Sequence, residues 1–165
     1  MDKNSPPRHF NTFSPANHIV MALPSADAAA ALQDELRDAG VAEGEVVVYE
    51  PQQMRALATD EVNNATLAAK IGQEYNLAKT RLALAEQGCT FVVTPIGDDR
   101  QVQAVAEAAR RHGALRAQRY GTFLIEELVE VGDGERQVGE SPDRGLDPQT
   151  TTGRESQPHE RGAGR

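Results

Sequence analysis

The chain carries a faint internal duplication that constrains its fold. Residues 20–40 and 93–113 share one pattern at an offset of 113 − 40 = 93 − 20 = 73 residues. In each copy an apolar run is broken by Pro or Gly, a small or acidic residue opens an Ala-rich stretch, and a Gly ends that stretch. Small polar or acidic residues are favoured at the start of a helix, and Gly just beyond its end. The duplication therefore predicts two β-α-β units in tandem.

Four extended runs accompany the two predicted repeat helices. Residues 18–23 (HIVMAL) are apolar at successive positions, which is typical of a strand covered on both faces. The runs 45–49 (EVVVY) and 90–96 (TFVVTPI) are rich in β-branched residues, and residues 114–120 form the fourth run. Residues 122–128 (TFLIEEL) either continue this last strand beyond a bulge or begin a short helix.

A long helix from about residue 59 to residue 87 is predicted between the two units. Apolar residues recur there at steps of three and four, which places them on one helical face. They are Leu67, Ile71, Tyr75, Ala78, Leu82 and Ala85. The order of elements predicts an α+β fold of the ferredoxin-like kind, in which a tandem β-α-β repeat forms a four-stranded sheet and the long central helix joins the halves.

The two ends of the chain differ in composition from its middle. Residues 1–17 contain three Pro and three Asn without apolar periodicity, and residues 129–165 consist mainly of Gly, Pro, Ser, Thr, Gln and charged residues. Such segments bury too little apolar surface to offset the entropy of ordering. We therefore expect a disordered arm at 1–17, one domain at 18–128 and a disordered acidic tail at 129–165.

Charge and cysteine content limit the partners and the cellular compartment that we expect. The net charge of −8 disfavours bulk attraction to nucleic acid or to an anionic membrane, so neither is expected as a partner. The single cysteine, Cys89, excludes an intrachain disulfide and is typical of a cytoplasmic protein. Neither a membrane span nor a signal peptide is indicated by the apolar runs. Two repeat helices shield one face of a sheet, so we expect the long helix or a second subunit on the other, and a homodimer is favoured.

Cations cluster in residues 110–119 of this otherwise acidic chain. On the last predicted strand, alternation places Arg116, Gln118 and Tyr120 on one face and Arg119 on the other. Such a face is suited to holding a phosphate or stacking a base. We call the six candidate residues for anion or nucleotide binding the arginine patch: Arg110, Arg111, Arg116, Gln118, Arg119 and Tyr120. The competing interpretation is structural, because cations at a helix C-terminus complement its dipole and edge residues are ordinarily solvated.

No known catalytic or cofactor motif is recognisable in the sequence. His18 and His112 would meet if the repeats pack symmetrically, but two His without a third ligand indicate a metal site only weakly. Asp98 and Asp99 are suited to helix capping rather than to acid-base chemistry. We therefore assign no catalytic residue, no metal ligand and no cofactor.

Several segments together resemble the small bacterial heat-induced or general stress protein domains. They are the run HIVMAL, the segment SADAAAALQDELRDAGV that contains Gly40, the run EVVVY and the later EAARRHGALRAQRYG. The resemblance spans about residues 18–128 and implies no catalytic residue. With the cysteine content and the packing argument, the leading expectation is a non-enzymatic cytoplasmic protein with a stress-associated or regulatory role, acting through dimerisation and sensing a small ligand. The alternatives are nucleotide or nucleic-acid binding through the arginine patch and, from fold alone, an enzyme of the dimeric α/β-barrel type.

Overall fold

The computed structural model describes residues 1–9, 12–65, 70, 72–122 and 124–131. Seven strands lie in this part of the chain: β1 Arg8–His9, β2 Thr12–Phe13, β3 His18–Leu23, β4 Val47–Tyr49, β5 Thr90–Pro95, β6 Arg116–Tyr120 and β7 Ile125–Glu130. Its α-helices are α1 Ala26–Asp38, α2 Pro51–Asn64, α3 Gln73–Glu86 and α4 Asp99–Arg111, and a 3₁₀ turn covers Glu43–Glu45.

The duplication appears in the structure as β3-α1 and β5-α4. The two helices have matching bounds, because 99 − 26 = 73 at their starts and 111 − 38 = 73 at their ends. Ser25 and Asp98 cap them, each accepting a hydrogen bond from the backbone N–H three residues further on. Gly40 and Gly113 follow the helix ends with φ of 93° and 74°, a backbone conformation that favours Gly. The predicted repeat is therefore confirmed.

The main sheet has five strands in the order β4-β5-β3-β6-β7, and every neighbouring pair is antiparallel. The α+β class predicted from the sequence is confirmed, and the order of β4, β5, β3 and β6 is compatible with a ferredoxin-like arrangement. The sheet is larger than the four strands expected. Residues 125–130 turn back and pair with β6, with a register shift between Ala117 and Gln118. This fifth strand replaces both alternatives considered for residues 122–128.

One face of the sheet packs against the two repeat helices. Alternate residues of β3 (Ile19, Met21 and Leu23) lie in this core with Val92 of β5. Apolar residues of α1 and α4 complete it: Ala29, Leu32, Leu36, Val102, Val105, Ala108 and Ala109. Residues three or four positions apart lie on one face of a helix, and these faces of α1 and α4 pack on the sheet.

The opposite face packs against α2 and α3, which replace the single long helix predicted at 59–87. Pro51 begins α2 at a position that suits Pro, and Glu50 and Gln53 form a capping box there. Ala65 after α2 and Gly72 before α3 both have extended backbone, which ends one helix and starts the next. Two shorter helices packed side by side cover more of a sheet than one apolar stripe does. Leu67 and Ile71 of the predicted stripe lie outside the described residues.

The arm expected to be disordered contributes a buried aromatic residue. Strands β1 and β2 form a small antiparallel pair, and the Phe13 side chain is completely buried. Its ring centroid lies 5.8 Å from that of Tyr49 in an edge-to-face arrangement. The sequence shows no periodicity here, because each strand has only two residues and a single Phe anchors the segment. At the other end, residues 129 and 130 belong to β7, and the tail from residue 132 onward lies outside the described residues.

We predict that Phe13→Ala lowers the free energy of unfolding by about 3–5 kcal/mol, because a fully buried ring is removed. Removal of residues 1–16 is expected to cost at least as much, since it deletes the same ring. Urea unfolding monitored by circular dichroism measures both. The control is Leu124→Ala at a side chain that is 71% exposed, which should change stability by less than about 0.5 kcal/mol. A Phe13→Ala cost as small as that of the control would show that the arm does not contribute to the core.

Candidate functional site

Strand β6 carries three members of the arginine patch on the face covered by α2 and α3. Arg116, Gln118 and Tyr120 share this face, as the alternation predicts, and Arg119 lies on the other. Arg116 is partly exposed, whereas Gln118 is 4% and Tyr120 1% exposed. Tyr120 is therefore enclosed by the domain and presents no ring on which a base would stack.

The arginines on β6 are held by carboxylates of β7 and α4. Both Nε and Nη2 of Arg116 donate to the Glu127 carboxylate, at 3.1 and 2.8 Å, and Gln118 Nε2 donates to the same carboxylate at 3.0 Å. Arg119 Nη1 lies 3.0 Å from Asp99 Oδ1. This cross-strand pairing neutralises charge that the sequence had suggested was available to a ligand.

The arginines at the end of α4 also have partners within the chain. Arg110 Nη2 donates to the Leu128 carbonyl oxygen at 2.6 Å, which ties α4 to β7. Arg111 donates to Glu35 on α1, and His112 Nε2 lies 2.7 Å from the same carboxylate. Hydrogen bonds from Arg111 and then from His112 lower the pKa of Glu35. Within the described residues, each arginine of the patch already bonds a carboxylate or a carbonyl oxygen of the chain.

A buried ion pair between Glu61 and Arg81 joins the second helical layer to the sheet. Arg81 Nη2 lies 2.6 Å from Glu61 Oε2, and the two side chains are 3% and 0% exposed. Arg81 Nη1 donates to the Tyr120 hydroxyl at 2.9 Å, and Glu61 Oε1 accepts from the Phe13 backbone N–H at 2.7 Å. The pair therefore connects α2, α3, β6 and the arm.

Electrostatic interactions keep Arg81 charged despite its burial. Burial tends to lower the pKa of Arg81, but Tyr120 and Glu61 raise it by more, so the guanidinium stays protonated. The Arg81 guanidinium carbon also lies 5.5 Å from the Phe13 ring centroid, within the range of a cation-π contact. Arg81 Nε has no hydrogen-bond partner among the described residues. A cavity of about 10 Å³, lined in part by Arg81, Arg116 and Gln118, has room for about one water molecule.

The sequence held a signal for this pair that periodicity alone does not reveal. Arg81 lies three residues after Ala78 and four before Ala85, so it occupies the buried stripe of its helix. Glu61 lies three residues after Ala58 on the buried side of α2. A single charge of each sign within two apolar stripes indicates a buried pair, because an unpaired buried charge is strongly unfavourable.

The other candidates raised by the sequence have structural surroundings. No group of three or more His, Cys, Asp or Glu side chains within the described ranges is arranged to hold a metal ion. His18 Nδ1 lies 2.8 Å from the Ala16 carbonyl oxygen, and Asp98 caps α4. Burial raises the pKa of the Cys89 thiol, which favours the unreactive protonated form. No helix among the residues described is long and apolar enough to span a membrane.

A cleft that the sequence analysis did not identify lies between the arm and the domain. We call it the arm cleft, and its volume is about 300 Å³. The arm lines it with Lys3, Asn4, Pro6 and Arg8, and the domain lines it with Tyr49, Gln53 and Leu57. The interpretation of residues 1–17 as disordered concealed it, because four lining residues belong to that segment.

Tyr49 is the central aromatic residue of the arm cleft. Lys3 Nζ lies 5.6 Å from the centroid of the Tyr49 ring. The Tyr49 hydroxyl is buried and has no hydrogen-bond partner within the described part of the chain. Burial, and then the charge of Asp2, raise the pKa of this hydroxyl, so it remains a proton donor at neutral pH. A buried hydroxyl without a hydrogen-bond partner destabilises the folded arrangement around Tyr49 by about 1–3 kcal/mol.

A second cleft, of about 470 Å³, lies beside the edge strand β4. It is lined by Ala26, Ala29, Gln33, Val48, Glu50, Pro51, Gln52 and Thr90. This cleft is larger, but its lining is mostly small or uncharged, and Glu50 is the one charged residue among those described. The arm cleft combines cations, amides and an aromatic ring, so it offers more specific chemistry to a ligand.

Comparison with protein families, with curated proteins and with solved structures found no match to this chain.

We predict strong coupling between Glu61 and Arg81 in a double-mutant cycle. Each single change, Glu61→Leu or Arg81→Met, leaves the other charge buried and should cost about 3–5 kcal/mol. The double variant should cost less than the sum of the two by about 3 kcal/mol, because no uncompensated charge remains. Urea unfolding supplies all the values. The exposed pair Arg37–Asp34 is the control and should give a coupling below about 1 kcal/mol. Equal coupling energies for the two pairs would contradict the interpretation of Glu61 and Arg81 as a coupled buried ion pair.

We predict that Glu35 contributes to the acid sensitivity of the fold. The pKa of Glu35 is lower in the folded protein than in the unfolded chain. Its ionised carboxylate therefore stabilises the fold at a pH above the unfolded-state pKa, and this stabilisation is lost as the pH falls through the folded-state pKa. When the pH is lowered from about 6 to about 3, the melting temperature of Glu35→Gln should therefore decrease by less than that of the wild type. Thermal unfolding across this range is the measurement, and Glu107→Gln on the exposed side of α4 is the control. Parallel profiles for Glu35→Gln and the wild type would rule out this contribution.

Proposed function

We propose that this chain is a non-enzymatic regulatory or stress-associated protein that senses a small ligand, and that the ligand binds in the arm cleft. One observation supports this proposal most directly. The cleft has the volume of a small-ligand site, and a short N-terminal segment forms one wall while the domain forms the other. A ligand that contacts both walls necessarily affects how the segment lies on the domain.

The contacts of the arm explain how binding would be transmitted. Arg8 Nη1 pairs with Asp60 Oδ2 at 3.0 Å, and Phe13 donates its backbone N–H to the buried Glu61. These two carboxylates are neighbours on α2, so the arm is attached beside the cleft and directly to the buried ion pair. A ligand with different affinities for the docked and undocked arm shifts the equilibrium between them. The response we propose is a change in arm docking.

The finer parts of the proposal concern the fold, the compartment and the assembly. We propose a ferredoxin-like domain, supported by the strand order β4-β5-β3-β6, and a cytoplasmic location, supported by the single cysteine. Homodimerisation stays within the proposal, but α2, α3 and Phe13 cover the face that was expected to pack against either the long helix or a second subunit. Light scattering with and without ligand tests it. Nucleotide or nucleic-acid binding through the arginine patch stays the alternative proposal, in which an anion uses the N–H donors that the arginines do not already give to carboxylates or to a carbonyl oxygen of the chain.

We predict that blocking the arm cleft abolishes ligand-induced stabilisation. Asn4→Trp places an indole at a lining position of the exposed arm, whereas Asn76→Trp makes the same change on the exposed side of α3. In a thermal-shift screen of metabolites, a ligand at about 100 times its dissociation constant adds about 2.7 kcal/mol, or on the order of 10 °C. The wild type and Asn76→Trp should respond and Asn4→Trp should not.

Two outcomes would overturn the proposed site. If no compound stabilises the wild type, ligand sensing is unsupported. If a ligand stabilises Asn4→Trp as much as Asn76→Trp, it binds elsewhere on the molecule.

A further inference from the structure

We infer that the ligand of the arm cleft is a small organic anion, with one carboxylate or phosphate group attached to an apolar body of about the size of one ring. This inference rests on the proposed function and specifies the class of ligand. It follows from the charges on the cleft walls, the apolar groups between them and the volume that they enclose.

The cations of the cleft are both on its arm side. Lys3 and Arg8 line the cleft, and none of its described lining residues is a carboxylate. Two carboxylates lie nearby: Asp60, which pairs with Arg8, and Asp2, whose charge acts on Tyr49. The contact with Asp60 is made through Nη1 alone, and a guanidinium has five N–H donors. Asp60 therefore orients Arg8 and leaves donors for an anion.

The surroundings of Lys3 differ from those of the arginine patch. Its ammonium group lies 5.6 Å from the Tyr49 ring centroid, at cation-π distance, and it is only partly exposed. An anion placed beside it gains a charge-assisted hydrogen bond without displacing a carboxylate from the lining. On the arginine patch the corresponding positions are already occupied by Glu35, Asp99 and Glu127.

The apolar part of the lining limits the body of the ligand. Leu57 and Tyr49, which is only 3% exposed, line the cleft from the domain side, and Pro6 lines it from the arm. The amides of Asn4 and Gln53 add hydrogen-bonding groups to the same walls. A volume of about 300 Å³ is at the lower end of the range for ligand sites, so one ring with one acidic group is a suitable size.

Direct titration of simple aromatic probes tests the class of ligand. Benzoate and phenyl phosphate represent the two anionic groups, and benzyl alcohol is the neutral probe of similar size. Isothermal titration at low salt should show binding of at least one anion to the full-length wild type, with weaker binding at higher salt. The preferred anion identifies the acidic group.

Variants of the two cations locate the site. Lys3→Gln should weaken binding of the anion about tenfold, and Arg8→Gln by a similar factor, because each removes a charge-assisted contact. Arg8→Lys keeps the charge and should retain most of the affinity. Lys79→Gln removes one exposed charge from α3 and should leave the affinity unchanged. Melting temperatures of the unliganded variants show whether the arm stays docked.

The possible outcomes separate this inference from the proposed function. If benzyl alcohol binds the wild type as well as the anions do and Asn4→Trp abolishes its binding, the ligand class is wrong while a ligand site in the cleft stands. If anions bind equally to Lys3→Gln and Lys79→Gln, the anion site lies outside the cleft and the inference fails. If no probe binds but a neutral compound from the thermal-shift screen does, the anion class is again overturned. If neither experiment yields a ligand, both proposals fail.

Discussion

The central strands β3 and β5 bury side chains on both faces of the sheet, and the rest of the fold follows from this requirement. Alternate residues of β3 belong to two separate cores, one against α1 and α4 and one against α2, α3 and Phe13. A sheet of this kind is stable in water only when both faces are covered. The chain supplies both covers itself. The repeat helices α1 and α4 cover one face, and α2 and α3 together with the arm cover the other.

The second cover is held by polar contacts as well as by apolar packing. Glu61 and Arg81 are buried together, and they also hydrogen-bond to Tyr120 on the sheet and to Phe13 in the arm. Such a pair adds little net stability compared with apolar residues of similar size, but the loss of one partner leaves a buried charge and lowers the free energy of unfolding strongly. The pair therefore favours the one arrangement in which α2, α3, the sheet and the arm are in contact. The position of the arm and the geometry of the arm cleft depend on these contacts of Glu61 and Arg81.

The cations of the chain fall into two groups with different surroundings. Arg116, Arg119 and Arg111 face acidic residues of β7, α4 and α1, respectively. Arg110 donates to the Leu128 carbonyl oxygen. Lys3 and Arg8 instead line a cleft whose described lining has no carboxylate. The sequence showed the first group as a dense local cluster and gave no indication of the second. Local density of charge is a poor guide to availability, because partners distant in sequence neutralise it.

The sequence by itself determined the repeat, the helix caps, the central strands and the α+β class, because each depends on residues close together along the chain. Ser25 with Gly40 and Asp98 with Gly113 set the helix limits locally. Only the tertiary structure decided the fifth strand, the split of the central helix, the burial of Phe13 and the arm cleft. The burial of Phe13 and the arm cleft depend on contacts between residues far apart in sequence, such as Phe13 with Glu61. The fifth strand instead pairs with its neighbour β6. A two-residue strand and one aromatic side chain carry no periodicity, so their order comes from the surface that receives them.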